Sequence, residues 1–218
     1  MPAIVFDMDG VLIDSERLVL RAWEHVGAEM GIPGLNDLFY RAIGTTHAHT
    51  ATLFAEAFGD SVDYIAFRDR VREYFYNVLT VNGAPLKTGA RELLDWLKAE
   101  GWAIGLASSS REAGVRLNME RTGLISYFDV LIGGDMLKAS KPAPDIYLRA
   151  CAELGVAPAS AFAVEDSYNG VRAAHAAGMH TVMVPDMVPA TEEMRALAET
   201  VLPDLLHVRD WLKEKRPA

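Results

Sequence analysis

Cysteine is almost missing from this chain of 218 residues: Cys151 stands alone, so no internal disulfide can form and a zinc site built on several thiolates is excluded. No basic leader followed by a long apolar stretch is present, and the apolar run Ala3 to Phe6 stops at Asp7. Neither a signal peptide nor a membrane span is therefore expected, and a reducing cytoplasm is the expected setting. No cluster of Lys and Arg offsets the net charge of -9. Nucleic acid and anionic membranes need a positive footprint, so neither is an expected partner. Any anion the protein binds must meet a local positive charge. Low-complexity tracts and internal repeats are absent too, and half of the residues are hydrophobic, which describes an ordinary soluble globular protein.

What is present begins with residues 3 to 16, where an apolar run ends in two carboxylates, Asp7 and Asp9, followed at once by Gly10. Ala3 to Phe6 reads as a short buried strand, and its two-residue period sends Asp7 and Asp9 to the same side. Two like charges so close raise each other's pKa, unless a cation lies between them or one carboxyl stays protonated for acid-base work. The alternative is a tight turn that uses Asp and Gly for their backbone tolerance.

From Ser15, a plausible N-cap, the pattern turns helical, with Leu18, Trp23 and Val26 among the apolar positions up to about Met30. Asn36 or Asp37 can cap a short helix to about Ile43, Ala48 to Phe58 is a third helix, and a longer one follows Gly59-Asp60-Ser61 to about Leu79. No strand is needed between 16 and 79. After residue 82 helices and strands alternate: apolar runs at 102–107, 128–132, 161–164 and 180–184, with helices at 91–100, 112–121, 144–154, 168–177 and 205–215. This grammar predicts an α/β fold, a Rossmann-like parallel sheet covered by helices on both faces. Residues 1–14 and 82–218 form that domain, and residues 15–81 an all-helical cap inserted after the first strand. Cys151 falls in an apolar helical pattern with Leu148 and Leu154 and reads as core.

In an open parallel sheet, ligands bind beyond the carboxyl ends of the strands. There the sequence places Asp7 and Asp9, then Ser108-Ser109-Ser110-Arg111 before a helix start suited to phosphate, then Gly133-Gly134-Asp135 and Lys141, then Glu165-Asp166-Ser167. Each has a bland reading as cap, solvated lysine or helix-start acid. Acids, hydroxyls and a lysine recurring at four strand ends make a shared site the better reading.

The motifs Phe6-Asp7-Met-Asp9-Gly-Val-Leu-Ile-Asp14-Ser-Glu16, Leu106-Ala-Ser108-Ser-Ser110, Ser140-Lys141-Pro-Ala-Pro-Asp145 and Val164-Glu165-Asp166-Ser167, with Gly170 and Ala177-Gly178, resemble the haloacid dehalogenase-like phosphatases. The resemblance is to the β-phosphoglucomutase branch, which carries a small helical cap. It implies that Asp7 is the nucleophile and Asp9 the acid-base residue. It implies Mg2+ as cofactor, held by Asp7, the backbone carbonyl of Asp9 and Asp166, with Glu165 as an outer partner. Ser108 and Lys141 would hold the transferring phosphoryl group, which answers how an acidic protein binds an anion. Ser109, Ser110 and Arg111 are weaker candidates for substrate contact at the edge of the site.

For the cap, Glu16, Gly44, Thr45 and Thr46 are the candidate substrate contacts, with His47 and Val19 beside them. The expected partner is a small-molecule phosphate ester, and a monomer is expected. β-Phosphoglucomutase carries a histidine where Val19 stands, which favours hydrolysis of a sugar phosphate over mutase chemistry. A non-catalytic phospho-ligand-binding module would not need Asp9 beside a metal, and a haloacid dehalogenase needs neither Asp9 nor a metal.

Overall fold

The computed structural model describes residues 2–43 and 47–215, with the backbone alone at residues 47 and 79–82. Two compact units divide the chain: one runs to Asp14 and resumes at Ala84, the other spans Ser15–Gly83. The first unit opens with β1 (Ala3–Phe6), every residue of which is buried.

The second unit is helical: α1 (Ser15–Met30), α2 (Leu35–Ala42), α3 (His47–Phe58) and α4 (Tyr64–Asn82). In α1 the buried residues Leu18, Ala22, Trp23 and Val26 share one face, as the 3.6-residue period requires. Trp23 is the centre of the unit, meeting Phe39, Phe54 and Phe67 edge-on at centroid distances of 5.2, 5.4 and 5.3 Å. Such pairs contribute about 0.5–1.5 kcal/mol each beyond their burial. Two helix ends differ from expectation. Gly34 (φ 71), rather than Asn36 or Asp37, precedes α2, and Asn36 instead donates its side-chain amide to Glu24 at 3.2 Å. Helix α4 continues past Leu79 to Asn82, because the first residue that breaks it is Gly83, with φ 68.

The first unit resumes with α5 (Ala90–Ala99), β2 (Ala103–Ser108), α6 (Glu112–Arg121), β3 (Val130–Gly133), α7 (Asp145–Leu154), β4 (Ala161–Glu165), α8 (Tyr168–Ala176), β5 (His180–Met183), α9 (Glu192–Leu197), β6 (Thr200–Val201) and α10 (Leu205–Lys215). Its strands form one parallel sheet in the order β3-β2-β1-β4-β5-β6. The order reverses between β1 and β4, whose carboxyl ends therefore flank the crevice of a doubly wound sheet. Phe6 is level with Leu106 on β2 and Val164 on β4, so Asp7 leaves the sheet beside the ends of both neighbours. One core layer is rich in alanine, with Ala103, Ala107, Ala161 and Ala163 facing Ala150, Ala173 and Ala174. Side chains this small let α7 and α8 lie close to the sheet.

Helix α9 and strand β6 were not expected from the sequence. Thr191 caps α9, accepting from Met194 N at 3.2 Å, and β6 is too short to show a period. On α7 the buried face is Ile146, Tyr147, Ala150 and Cys151, whereas Leu148 is 43% exposed and does not share the Cys151 face. Among the described residues, no helix is long and apolar enough to cross a membrane.

Candidate active site

Beyond β1 the chain closes on itself: Leu12 N and Ile13 N donate to Met8 O at 3.0 and 3.1 Å, and Gly10 N to Ile13 O at 2.9 Å. Gly10 is needed at this turn because its φ is +77 and a Cβ there would overlap the Asp166 carboxylate. The loop sends its two acids into different surroundings. Asp7 is 7% exposed, and its N–H donates to Val164 O at 3.0 Å. Asp9 turns its Oδ2 to the end of β2, accepting from Ser110 Oγ at 3.1 Å and Ser108 Oγ at 3.4 Å.

Lys141 joins the acids. Its side chain is 6% exposed, and its Nζ donates to Asp7 Oδ1 at 2.5 Å, to Glu165 Oε1 at 2.6 Å and to the Ala107 carbonyl at 3.0 Å. Three donors and three acceptors satisfy the ammonium completely. Burial works against its charge, but Asp7 and Glu165 outweigh burial and raise the lysine above its usual range, so it remains protonated.

Glu165, fully buried at the end of β4, has both oxygens engaged. Oε1 accepts from Lys141 and from Tyr147 Oη, each at 2.6 Å; Oε2 accepts from Ser167 Oγ at 3.1 Å, Asp166 N at 3.2 Å and Ser167 N at 3.4 Å. Ser167 also caps α8, accepting from Gly170 N at 3.1 Å. Gly170 leaves room for the carboxylate, since a Cβ there would overlap it.

Burial is the largest influence on the acids. It pushes Asp7 up to about 8, with Lys141 opposing and the charges of Glu165 and Asp9 adding to the rise. It raises Asp166 well above the carboxylate range, with Glu165, Asp7 and Asp186 adding. Asp7, Glu165 and Asp166 each present an oxygen within 4.8 Å of the others. A crowded, oxygen-only acidic set of this kind fits a hard divalent cation such as Mg2+, which would remove the mutual repulsion. The Asp9 side chain, bonded to the serines, stands outside that set.

The structure thus brings together Asp7, Asp9, Ser108, Lys141, Glu165 and Asp166 from four separate segments. Ser109 is exposed, and Ser110 is the neighbour that reaches Asp9. Asp135 does not join them: its Oδ1 accepts from Glu112 N at 2.8 Å and so satisfies the start of α6. In the helical unit, Glu16 and Val19 line a cavity of about 510 Å³ with Trp23, Phe67, Arg68 and Arg72. Gly44, Thr45 and Thr46 lie outside the described residues, as does the side chain of His47.

Two features escaped the sequence reading. Tyr147 lies on the buried face of α7, and no motif marks it in the sequence. Lys87 and Asp186 form an ion pair at 2.6 Å, with the aspartate side chain 1% exposed, and Asp186 adds to the field at Asp166.

The family model described as haloacid dehalogenase-like hydrolase matches residues 4–184. A phosphorylated carbohydrates phosphatase of Thermotoga maritima is 34% identical over 203 residues, covering 91% of each chain. A β-phosphoglucomutase of Bacillus subtilis is 32% identical over 220 residues, 97% of this chain and 96% of the other. The crystal structure of a hydrolase of this family from Deinococcus radiodurans, with bound phosphate and sodium, is similar with a TM-score of 0.84 and 29% identity. It covers 98% of this chain and 96% of that one.

Proposed function

The chain belongs to the haloacid dehalogenase-like hydrolase family, and from that premise we propose that it is a magnesium-dependent phosphatase of small phosphomonoesters, with a sugar phosphate as substrate and an aspartyl-phosphate intermediate. One observation carries this reading: two carboxylates of one loop have separate environments. Asp7 sits against Lys141 among the buried acids, and Asp9 sits against two hydroxyls. Separate environments are what separate roles require.

In the first step an Asp7 oxygen attacks phosphorus, the bond to the leaving oxygen breaks, and that oxygen takes a proton from Asp9. In the second step Asp9 takes a proton from water, the water oxygen bonds to phosphorus, and the bond to Asp7 breaks to release inorganic phosphate. Lys141 opposes the charge on Asp7 throughout, and as the acyl phosphate forms, the N–H it gave Asp7 can turn to a phosphoryl oxygen. Ser110 orients Asp9 at 3.1 Å, and the Ser108 hydroxyl, whose contact with Asp9 is the longer at 3.4 Å, can turn its one proton to the phosphoryl group. When bound, Mg2+ supplies charge neutralisation for the phosphoryl oxygens, and Asp7, Asp166 and the Asp9 carbonyl are the groups that would hold it, with Glu165 behind them.

Substrate choice we assign to the helical unit, whose cavity presents Arg68, Arg72 and Glu16 among aromatic walls. The phosphorylated carbohydrates phosphatase supports a sugar phosphate as the class. The second reading, a phosphosugar mutase, is favoured by the B. subtilis relative. The apolar Val19 in the cavity wall counts against it.

A panel of hexose, pentose and deoxysugar phosphates and nucleoside monophosphates, ranked by kcat/KM with Mg2+ and again with EDTA, tests the assignment. Hydrolysis of sugar phosphates that EDTA abolishes is expected. No turnover of any ester would contradict the phosphatase, and conversion of β-glucose 1-phosphate with a bisphosphate activator would favour the mutase.

A further inference from the structure

Tyr147 lies on α7 with no exposed surface, its ring in the alanine-rich layer of the core. A buried phenol must find a hydrogen-bond partner, and phenylalanine would fill the same space without that requirement. The partner here is Glu165 Oε1 at 2.6 Å, the same oxygen that accepts from Lys141 at 2.6 Å. The lysine also stands over the tyrosine ring, 5.1 Å from its centroid.

We propose that Tyr147 is a positioning residue of the phosphoryl-transfer site: through Glu165 its hydroxyl sets where Lys141 stands between Glu165 and Asp7. The proposal rests on the phosphatase reading and adds to it a residue remote from the reacting atoms.

The geometry makes the lysine's place a balance. Its three N–H bonds go to Asp7 Oδ1 at 2.5 Å, Glu165 Oε1 at 2.6 Å and the Ala107 carbonyl at 3.0 Å, so it has no proton left over. Asp7 and Glu165 compete for one ammonium. A Glu165 oxygen that already receives a phenolic proton attracts the lysine less strongly than one that does not. Without that proton, Oε1 keeps Lys141 as its one remaining donor among the contacts described, and the ammonium is drawn toward Glu165. Asp7 then loses part of the cation that opposes its burial. The other Glu165 oxygen cannot compensate, because its donors come from Asp166 and Ser167 at the opposite side of the carboxylate.

Tyr147→Phe isolates the hydroxyl, since the ring, the core packing and the contact of Lys141 with the aromatic face all stay. The test compares wild type, Tyr147→Phe, Glu165→Gln and the double variant by kcat and KM on the best ester at saturating Mg2+. A crystal structure of Tyr147→Phe supplies the Lys141 Nζ to Asp7 Oδ1 distance. Loss of one charge-assisted hydrogen bond predicts a fall in kcat of about tenfold with KM nearly unchanged. It also predicts a lengthened lysine–aspartate distance and a much smaller effect of Tyr147→Phe when Glu165 is already Gln. An unchanged kcat in Tyr147→Phe beside an active wild type would overturn the proposal, as would equal effects in both backgrounds. An inactive wild type would count against the phosphatase reading instead; the crystallographic distance then decides, a lengthened one supporting the proposal and an unchanged one overturning it.

Discussion

Lys141 and Asp7 are 134 positions apart in the chain and meet with Nζ 2.5 Å from Oδ1. The same ammonium serves Glu165 at 2.6 Å, so one buried positive charge answers several buried acids. Breaking a buried pair by removing one partner leaves the other charge uncompensated, at about 3–5 kcal/mol. Lys141→Met keeps the aliphatic stem and removes that charge. It should lower kcat by about 10³-fold, the scale of lost electrostatic stabilisation at a reacting centre. Denaturant unfolding of the variant should show a stability loss that added Mg2+ partly restores. Equal stability with and without Mg2+ would argue against a cation site among these acids.

Asp166 has no role in the proposed proton transfers, so its loss should appear as a metal effect. Asp166→Asn should raise the Mg2+ concentration for half-maximal activity at least about tenfold, a shift typical of weakened metal sites. Titrating activity against Mg2+ in the wild type and the variant measures it. A variant with the same Mg2+ dependence would remove Asp166 from the ligand set.

Gly10→Ala tests the turn rather than the acids. The backbone there has φ +77, and a Cβ would overlap the Asp166 carboxylate. The substitution should destabilise the fold by about 1–3 kcal/mol and weaken Mg2+ activation together. Thermal unfolding and a Mg2+ titration on the same preparation check both effects. A variant as stable and as responsive as wild type would show that the turn tolerates a side chain.

Much of this site could be read from residue order. Asp7, Asp9, Lys141 and Asp166 stood out because acids and a lysine at the ends of apolar strands demand a partner. Ser108 is marked by its place at the end of β2, but which of the next two hydroxyls turns inward is not legible: it depends on the loop, where Gly134 lies so close to the Ser109 carbonyl that a Cβ would overlap it. Tyr147 was hidden because its spacing on α7 is that of any core residue, and only the position of Glu165 gives its hydroxyl a task. The Lys87–Asp186 pair joins positions 99 apart, with no motif at either. Strand β6 has two residues and needs β5 beside it to exist.

Cys151 should be inert in the folded protein. It is 1% exposed with Sγ 3.8 Å from Met179 Sδ, and burial pushes the thiol from 9.0 up to about 11. A thiol reagent at pH 8 should label it only after unfolding in guanidinium. Because the unfolded thiol ionises first, the stability that the buried neutral thiol contributes is fully present below pH 9 and is lost as the pH rises through about 11. Rapid labelling of the native protein would show that this part of the core opens readily.

The nucleophilic role of Asp7 is the centre of the account, and hydrolysis of p-nitrophenyl phosphate by Asp7→Asn, beside wild type and with Mg2+ present, tests it most directly. The amide keeps the shape of the carboxyl and removes the attacking charge. Turnover should fall by about three orders of magnitude or more while circular dichroism and the unfolding transition show a folded protein. Turnover close to wild type in that variant would contradict the account.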